Sequence, residues 1–197
     1  MTNTERIQSN NAELREAIQI AESLPDVGND SGSNLVDSII NRTITEIKSD
    51  VLSVGDHVFY TCKSLVSAEF PNATKIGSNS LRDCLVLVSV SIPNVTDLMG
   101  SSFRGCQRLV KIDLPKVDRM YANVFTGCTK LETIILRANK VCSMSNVNIL
   151  TDTPIESGTG YVYVPSTLVD SYKAAANWST YADQIRAIED YPEITGG

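Results

Sequence analysis

Histidine is nearly absent from this 197-residue chain, and so are the motifs that usually carry catalysis or bind metal. The only histidine is His57, so a histidine-containing catalytic triad would have to use it. Neither a glycine-rich phosphate loop nor a Cys-x-x-Cys pair occurs. We therefore predict a protein that is not an enzyme, with no metal site and no cofactor.

Long apolar runs and basic stripes are also missing. No run approaches the roughly 20 apolar residues that a helix needs to cross a bilayer, and the N-terminus lacks the pattern of a secretory signal. The net charge is -6, and acids are concentrated at both ends: residues 1–40 hold seven acids against two bases, and residues 160–197 hold five against two. These features predict a soluble protein that neither inserts into membranes nor binds nucleic acid.

The sequence is rich in one pattern, which recurs every 22 residues between Phe59 and Leu136. Each copy opens with a large apolar residue, continues with cysteine and then leucine at steps of three, and closes on an apolar residue, followed in three copies by proline. In that order the residues are Phe59, Leu81, Phe103 and Phe125; Cys62, Cys84, Cys106 and Cys128; Leu65, Leu87, Leu109 and Leu131; and Phe70, Ile92, Leu114 and Leu136. A period of about 20 to 29 residues with this leucine spacing is typical of a leucine-rich repeat solenoid.

The end of each copy alternates apolar and polar residues, as a strand with one buried face does. We therefore predict parallel strands at residues 66–70, 88–92, 110–114 and 132–136. A second apolar pair follows each of the first three, as at Ala73 and Ile76, and is expected to line the opposite wall of each coil. The predicted fold is an α/β solenoid with an N-terminal helix and a C-terminal helical cap.

The repeat cysteines favour a structural role over metal binding. Each coil supplies one cysteine, whereas a zinc site takes ligands in pairs about two to four residues apart. We expect Cys62, Cys84, Cys106 and Cys128 to be buried, reduced and free of metal. Cys142 lies outside this ladder and is predicted to be the most reactive thiol.

Residues 1–24 are predicted to form a helix and residues 25–33 a linker. Apolar residues recur in the helix at the a and d positions of a short coiled coil, with Asn10 among them: Ile7, Leu14, Ala17, Ala21 and Leu24. Such a helix would join several copies of the chain, with a trimer as the expected state. A helix docked on the end of the solenoid is the alternative that the pattern leaves open.

The solenoid with its N-terminal cap is predicted to span residues 34–160. Ile44 and Ile47 stand about one residue out of register, which is typical of a terminal coil. After the fourth copy, an insert delays the next strand-like run, 161–165, by about six residues. Residues 161–197 are predicted to form the last strand and a helical cap with an exposed tail. The apolar residues of that cap are Leu168, Tyr172, Ala175, Trp178, Tyr181, Ile185 and Ile188.

The unit F-x-x-C-x-x-L-x-x-φ-x-φ-P-N-x-T, where φ is apolar, is most complete from Phe59 to Thr74. It resembles the BspA-like leucine-rich repeats of bacterial surface and phage proteins, over about residues 44–165. The ending at Tyr161-Val-Tyr-Val-Pro165 and the opening helix make the chain similar to short leucine-rich repeat proteins of prophage tail regions. The resemblance implies an adhesion or recognition module in a virion, or in the cytoplasm before assembly. A bacterial cell surface is implied instead if a signal peptide preceded this sequence.

Binding is expected on the solvent-facing rows of the solenoid. The candidates are two strand rows and a loop row: Ser67, Ser89, Lys111 and Thr133; Glu69, Ser91, Asp113 and Ile135; and Met99 with Tyr121. The strand rows hold no aromatic residue, which disfavours a sugar platform and favours a protein partner. Two functions stay open: recognition of a protein or cell-surface component, and a structural spacer.

Overall fold

The structure, a computed structural model, describes residues 44–195. Its strands are β1 (Glu46–Lys48), β2 (Ser67–Glu69), β3 (Lys75–Ile76), β4 (Ser89–Ser91), β5 (Asp97–Leu98), β6 (Lys111–Leu114), β7 (Arg119–Met120), β8 (Thr133–Leu136), β9 (Ser143–Met144), β10 (Tyr161–Val164) and β11 (Ile185–Ala187). The α-helix of this part of the chain is α1 (Val169–Ala174). Its 3-10 helices are Val147–Leu150, Ser166–Leu168, Trp178–Gln184, Ile188–Asp190 and Pro192–Thr195.

Several predictions fall outside the described residues. These are the helix at 1–24 with its coiled-coil positions, the linker at 25–33, the apolar stretch from 34 to 43, and the glycines at 196 and 197. Between residues 44 and 195, none of the helices is both long and apolar enough to span a membrane.

The strands at the ends of the repeats pair in parallel, in two sheets with the orders β1-β2-β4 and β6-β8-β10-β11. Ser67 pairs with Ser89 and Lys111 pairs with Thr133, so each partner lies one full repeat further along the chain. The prediction of parallel strands is confirmed, and each strand is one or two residues shorter than predicted.

The register changes at both ends of this row. Glu46 pairs with Ser67, a step slightly shorter than the repeat, so the first coil is one residue out of register as expected. Thr133 pairs with Tyr161, a step longer than the repeat, which confirms the predicted delay of the last strand. Two of the six extra residues lie before Ser143, which pairs with Arg119, and the other four lie between Ser143 and Tyr161.

Another parallel sheet, of order β3-β5-β7-β9, forms the opposite wall of the coils. Lys75 pairs with Asp97 and Asp97 with Arg119, again with one full repeat between partners. The predicted second apolar pairs are buried against the core: Ala73 and Ile76, Val95 and Leu98, Val117 and Met120. Stacking therefore buries equivalent positions of successive coils in one continuous core, against which Val51 and Val90 pack half-buried.

The cysteine ladder has a specific role in this stacking. The Sγ atom of Cys84 donates a hydrogen bond to the Phe59 carbonyl of the preceding coil at 3.2 Å. Cys106 bonds to Leu81 at 3.2 Å and Cys128 to Phe103 at 3.1 Å in the same way. All four repeat cysteines are buried and unbridged, as predicted.

The prediction that Cys142 is a reactive thiol is wrong. Its side chain is fully buried, and burial, followed by the charges of Asp118 and Asp97, raises its pKa to about 12. Since only the thiolate is nucleophilic, the thiol is both inaccessible and protonated near neutral pH.

The C-terminal region is less helical than predicted. Tyr172 lies on α1 and is fully buried, but Trp178 and Tyr181 lie on a 3-10 helix. Ile185 begins β11, which pairs in parallel with β10 and forms the last strand of the sheet. Tyr172, Trp178, Tyr181 and Ile185 are buried, whereas the other apolar residues of the cap are half-buried. The predicted helix is too long, because short 3-10 turns space buried residues much as an α-helix does.

Candidate functional site

The outer face of the strand row carries the two predicted rows of residues. Ser89, Ser91 and Lys111 are exposed, whereas Ser67 and Thr133 are partly exposed. Glu69 is exposed and forms an ion pair with Lys48 of the neighbouring strand, with 2.9 Å between the Lys48 Nζ atom and the Glu69 carboxylate. The structure thus places Ser67, Glu69, Ser89 and Ser91 side by side on β2 and β4.

Asp113 is engaged by a residue of the next coil. The guanidinium of Arg137 donates hydrogen bonds to both Asp113 carboxylate oxygens at 2.8–3.0 Å. This hydrogen bonding raises the pKa of Arg137. Arg137 occupies the position that proline has in the earlier copies, so the departure from the repeat adds a partner for Asp113.

The prediction that Ile135 is exposed is wrong. Ile135 points away from the core, between the inward Ile134 and Leu136, yet its side chain is fully buried. The rows also continue into Tyr161 and Tyr163 of β10, which pair with Thr133 and Ile135. The prediction that this face holds no aromatic residue is therefore wrong. The insert shifts β10 out of the 22-residue register, so the repeat did not identify Tyr161 and Tyr163 as members of the two rows.

A segment from the C-terminal end lies against this part of the face. The ring centroid of Tyr191 is 5.3 Å from that of Tyr163, at an interplanar angle of 70°. The Nζ atom of Lys111 donates a hydrogen bond to the carbonyl of Ile194. The face is therefore open over β2 and β4 and occupied over β6, β8 and β10.

An apolar stripe borders the open part and was missed by the sequence analysis. Val66, Val88 and Val110 are 41%, 48% and 42% exposed and lie immediately before β2, β4 and β6. Their recurrence at one position of the repeat is the signal that could have revealed them. Three exposed valines at the same position of successive coils form an apolar row beside the serines.

The predicted loop row borders a small pocket on the other wall. Met99 and Tyr121 are both half-buried. Tyr121 lines a pocket of about 110 Å³ together with Arg119, Met120, Ser143, Met144 and Ser145. Ligand sites are usually about 300 to 1,000 Å³, so this pocket is sized for a single side chain.

An ion pair lies beside this pocket. The Nε atom of Arg119 is 2.6 Å from the Asp97 carboxylate. Burial alone would raise the pKa of Asp97, but hydrogen bonds from Arg119 and Thr96 and the Arg119 charge lower it below its usual value.

His57 is exposed, as expected for a loop residue. Its backbone is left-handed, like that of its register mates Asn79, Ser101 and Asn123. The Nε2 atom of His57 lies 3.2 Å from the Asn79 amide nitrogen. Over residues 44–195, no group of three His, Cys, Asp or Glu side chains is placed to hold a metal ion.

Residues 30–146 match the family of BspA type leucine-rich repeat regions, which is described with six copies. The match covers more than half of the chain. The chain belongs to the BspA type leucine-rich repeat family. Leucine-rich repeat domains of this kind are generally non-enzymatic scaffolds for protein interactions.

Solved structures of leucine-rich repeat proteins share the fold of this chain. A leucine-rich repeat protein of T. pallidum is 21% identical with a TM-score of 0.50, over 58% of this chain and 52% of that one. A leucine-rich cell surface protein of Faecalibacterium prausnitzii is 22% identical with a TM-score of 0.52, over 70% and 34%. A leucine-rich repeat protein of Bacteroides ovatus is 21% identical with a TM-score of 0.52, over 73% and 35%.

This BspA type chain spans about half the length of the T. pallidum protein and about a third of the other two. At these identities the likeness concerns the fold alone. None of the curated proteins compared with the chain is significantly similar to it.

Proposed function

We propose that this BspA type leucine-rich repeat protein is a non-enzymatic recognition module that binds a protein partner on the outer face of its strand row. The observation that carries the proposal is the exposed stripe of Val66, Val88 and Val110 beside Ser89 and Ser91. Apolar side chains beside polar groups on a rigid surface are typical of protein interfaces. The loop row of Met99 and Tyr121 is a second candidate contact.

The exposed rows supply most of the candidate contacts. Ser67, Glu69, Ser89 and Ser91 form the open part, and Lys111, Asp113 and Thr133 form its border with the covered part. Ile135 is removed from the candidates, because it is buried.

We propose a phage or prophage tail as the setting and a host surface protein as the partner. The support is the resemblance of the chain's opening and ending to short tail-region proteins, together with the coiled-coil pattern at residues 3–24. Several solenoids held in one oligomer would bind a surface with increased avidity, because the second contact becomes intramolecular.

A bacterial cell surface is the alternative setting. It is favoured by the family match and by the F. prausnitzii protein of the same fold, which is described as a cell surface protein. A structural spacer is the alternative function, since a solenoid sets a distance without binding through its face.

The test is capture of proteins from bacterial surface extracts by the full-length chain, compared with Ser91→Arg, which places a bulky charge on the open part of the strand face. The matched control is Ser171→Arg, at an exposed position of α1 on the C-terminal cap. We expect the same partner to bind the wild-type and control chains, and to bind the Ser91→Arg chain at least about tenfold more weakly. If all three chains capture the same partner equally, the open strand face does not bind it, and the loop row of Met99 and Tyr121 becomes the candidate surface. If none of the chains captures a partner, the spacer is favoured.

A further inference from the structure

Ile135 and Tyr163 form a buried apolar patch outside the solenoid core. Side chains alternate along β8, so Ile134 and Leu136 enter the core while Ile135 points outward. Ile135 is nevertheless fully buried, and its neighbour Tyr163 on β10 is 8% exposed. Two outward side chains become buried only if another part of the chain covers them.

Residues 188–195 are the cover. Tyr191 packs edge-on against Tyr163, and the Ile194 carbonyl accepts a hydrogen bond from Lys111 of β6. Ile135 lies on β8, between these two contacts. At its start, the segment is held by the Glu189 carboxylate, which accepts a 2.9 Å hydrogen bond from the Ser166 amide.

The charges of the two surfaces are complementary. The segment presents Glu189, Asp190 and Glu193, all exposed. The face opposite it presents Lys111 and, on β11, Arg186, whose guanidinium lies 4.6 Å from the centre of the Tyr161 ring.

The segment is held less firmly than the chain just before it. Trp178 and Ile185 are at most 1% exposed, and β11 pairs with β10 along three residues. In contrast, Tyr191 and Ile194 are only half-buried, and Pro192 and Glu193 between them are exposed. Segments with little buried apolar surface open at a lower free energy than the core does.

We propose that the outer face over β6, β8 and β10 is a docking surface for a short acidic protein segment, with residues 188–195 as its built-in and displaceable occupant. The ligand carries a tyrosine and, three residues later, an aliphatic residue, as Tyr191 and Ile194 do. The tyrosine packs on Tyr163, the backbone carbonyl of the aliphatic residue accepts a hydrogen bond from Lys111, and the negative charge of the acids complements the positive charge of Lys111 and Arg186. This inference rests on the proposed function, because it names the class of partner that part of the same face accepts.

The first test uses the full-length chain with Tyr191→Ala and Ile194→Ala, which remove the ring that packs on Tyr163 and truncate the half-buried aliphatic side chain at position 194. A fluorescent synthetic peptide with the sequence of residues 188–195 is added, and binding is measured by anisotropy. We expect the peptide to bind the loosened chain saturably and at least about tenfold more tightly than it binds the wild-type chain. A peptide whose tyrosine is replaced by alanine should bind the loosened chain about tenfold more weakly than the original peptide does. Tyr60→Ala, at an exposed tyrosine near the other end of the solenoid, is the matched control and should bind the peptide as weakly as wild type.

The inference is overturned if the loosened chain keeps the wild-type circular dichroism spectrum and melting temperature but does not bind the peptide. Equal binding to the loosened and wild-type chains also overturns it. In either case the Ser91→Arg capture experiment still decides the proposed function, because Ser91 lies on the open part of the face.

The second test needs no variant and measures amide hydrogen exchange in the wild-type chain. We expect the amides of Tyr191, Glu193 and Ile194 to exchange at least about a hundredfold faster than those of β8 and β10. If they exchange as slowly as the two strands, the segment is a fixed part of the fold and is not displaceable.

Discussion

The indole nitrogen of Trp178 donates a 2.6 Å hydrogen bond to the carbonyl of Cys142, at the free edge of the sheet that ends in β9. The hydroxyl of Tyr172 accepts a 2.8 Å bond from the Cys142 amide, and the Asn177 side chain donates a 2.8 Å bond to the Met144 carbonyl. Side chains of the C-terminal region thus form hydrogen bonds with backbone amide and carbonyl groups at β9 that do not pair with β7. An unpaired edge would invite pairing with another chain, so these bonds protect it.

Trp178→Phe removes one of these donors while keeping an aromatic ring. We expect the free energy of unfolding to fall by about 1–3 kcal/mol, because the buried Cys142 carbonyl loses its partner. Urea denaturation followed by circular dichroism measures the change. Tyr181→Phe, which loses a 2.7 Å bond to the Val147 carbonyl in a less buried place, should cost less. A larger loss for Tyr181→Phe would contradict this account of the edge.

Thiol titration separates burial from reactivity at all five cysteines. We expect no rapid labelling of the native chain at pH 8, because every thiol is buried, and labelling of all five in denaturant. Mass spectrometry of the labelled peptides identifies the sites. Rapid labelling of Cys142 in the native chain would show that the C-terminal region does not cover it.

Stability should decline at alkaline pH. Burial raises the pKa of Cys142 to about 12 and also raises the pKa of Cys84. A raised folded pKa contributes stability that is complete below the unfolded thiol pKa of about 8.5 and is lost as pH rises toward the folded value. Denaturation midpoints between pH 7.5 and 10.5 measure the decline. Cys142→Ala should decline less steeply, and an identical slope would contradict the assignment.

Ser80 and Ser102 are buried, and their hydroxyls have no hydrogen-bond partner among residues 44–195. Their register mates are Val58 and Val124, so the row also accommodates apolar side chains. We expect Ser102→Ala to raise the free energy of unfolding by about 1 kcal/mol, since an unpaired buried hydroxyl is removed. Thermal unfolding measures the effect, with Ser91→Ala on the surface as the neutral control. A drop in stability with Ser102→Ala would indicate that the hydroxyl has a partner.

Residues 3–24 are predicted to assemble the chain into an oligomer, with three copies expected. Light scattering at micromolar concentration should give the mass of a trimer for the full chain and of a monomer after deletion of residues 1–24. The physical reason is the recurrence of Ile7, Leu14 and Ala21 on one helix face. A full-length monomer would favour the docked helix and weaken the phage tail setting.

The repeated part of the fold could be predicted because its contacts recur at one sequence offset. The pairing of Ser67 with Ser89, and the cysteine ladder, follow directly from the regular spacing of the repeat. The one-residue shift at Ile47 and the delay of Tyr161 could also be predicted from the sequence, because a departure from the 22-residue spacing can be counted in the same way as the spacing itself.

The stacked coils, their inward rows and the outward position of the candidate residues could thus be predicted from the repeat alone. Which of the outward residues remain accessible depends on how the rest of the chain packs against them. Two contacts decide this: Trp178 with Cys142, and Tyr191 with Tyr163. Each occurs once and joins positions that are not related by the repeat, so the periodicity of the sequence does not predict it. They depend on how the C-terminal turns fold back on the solenoid, and that path is set by packing among residues that share no repeat.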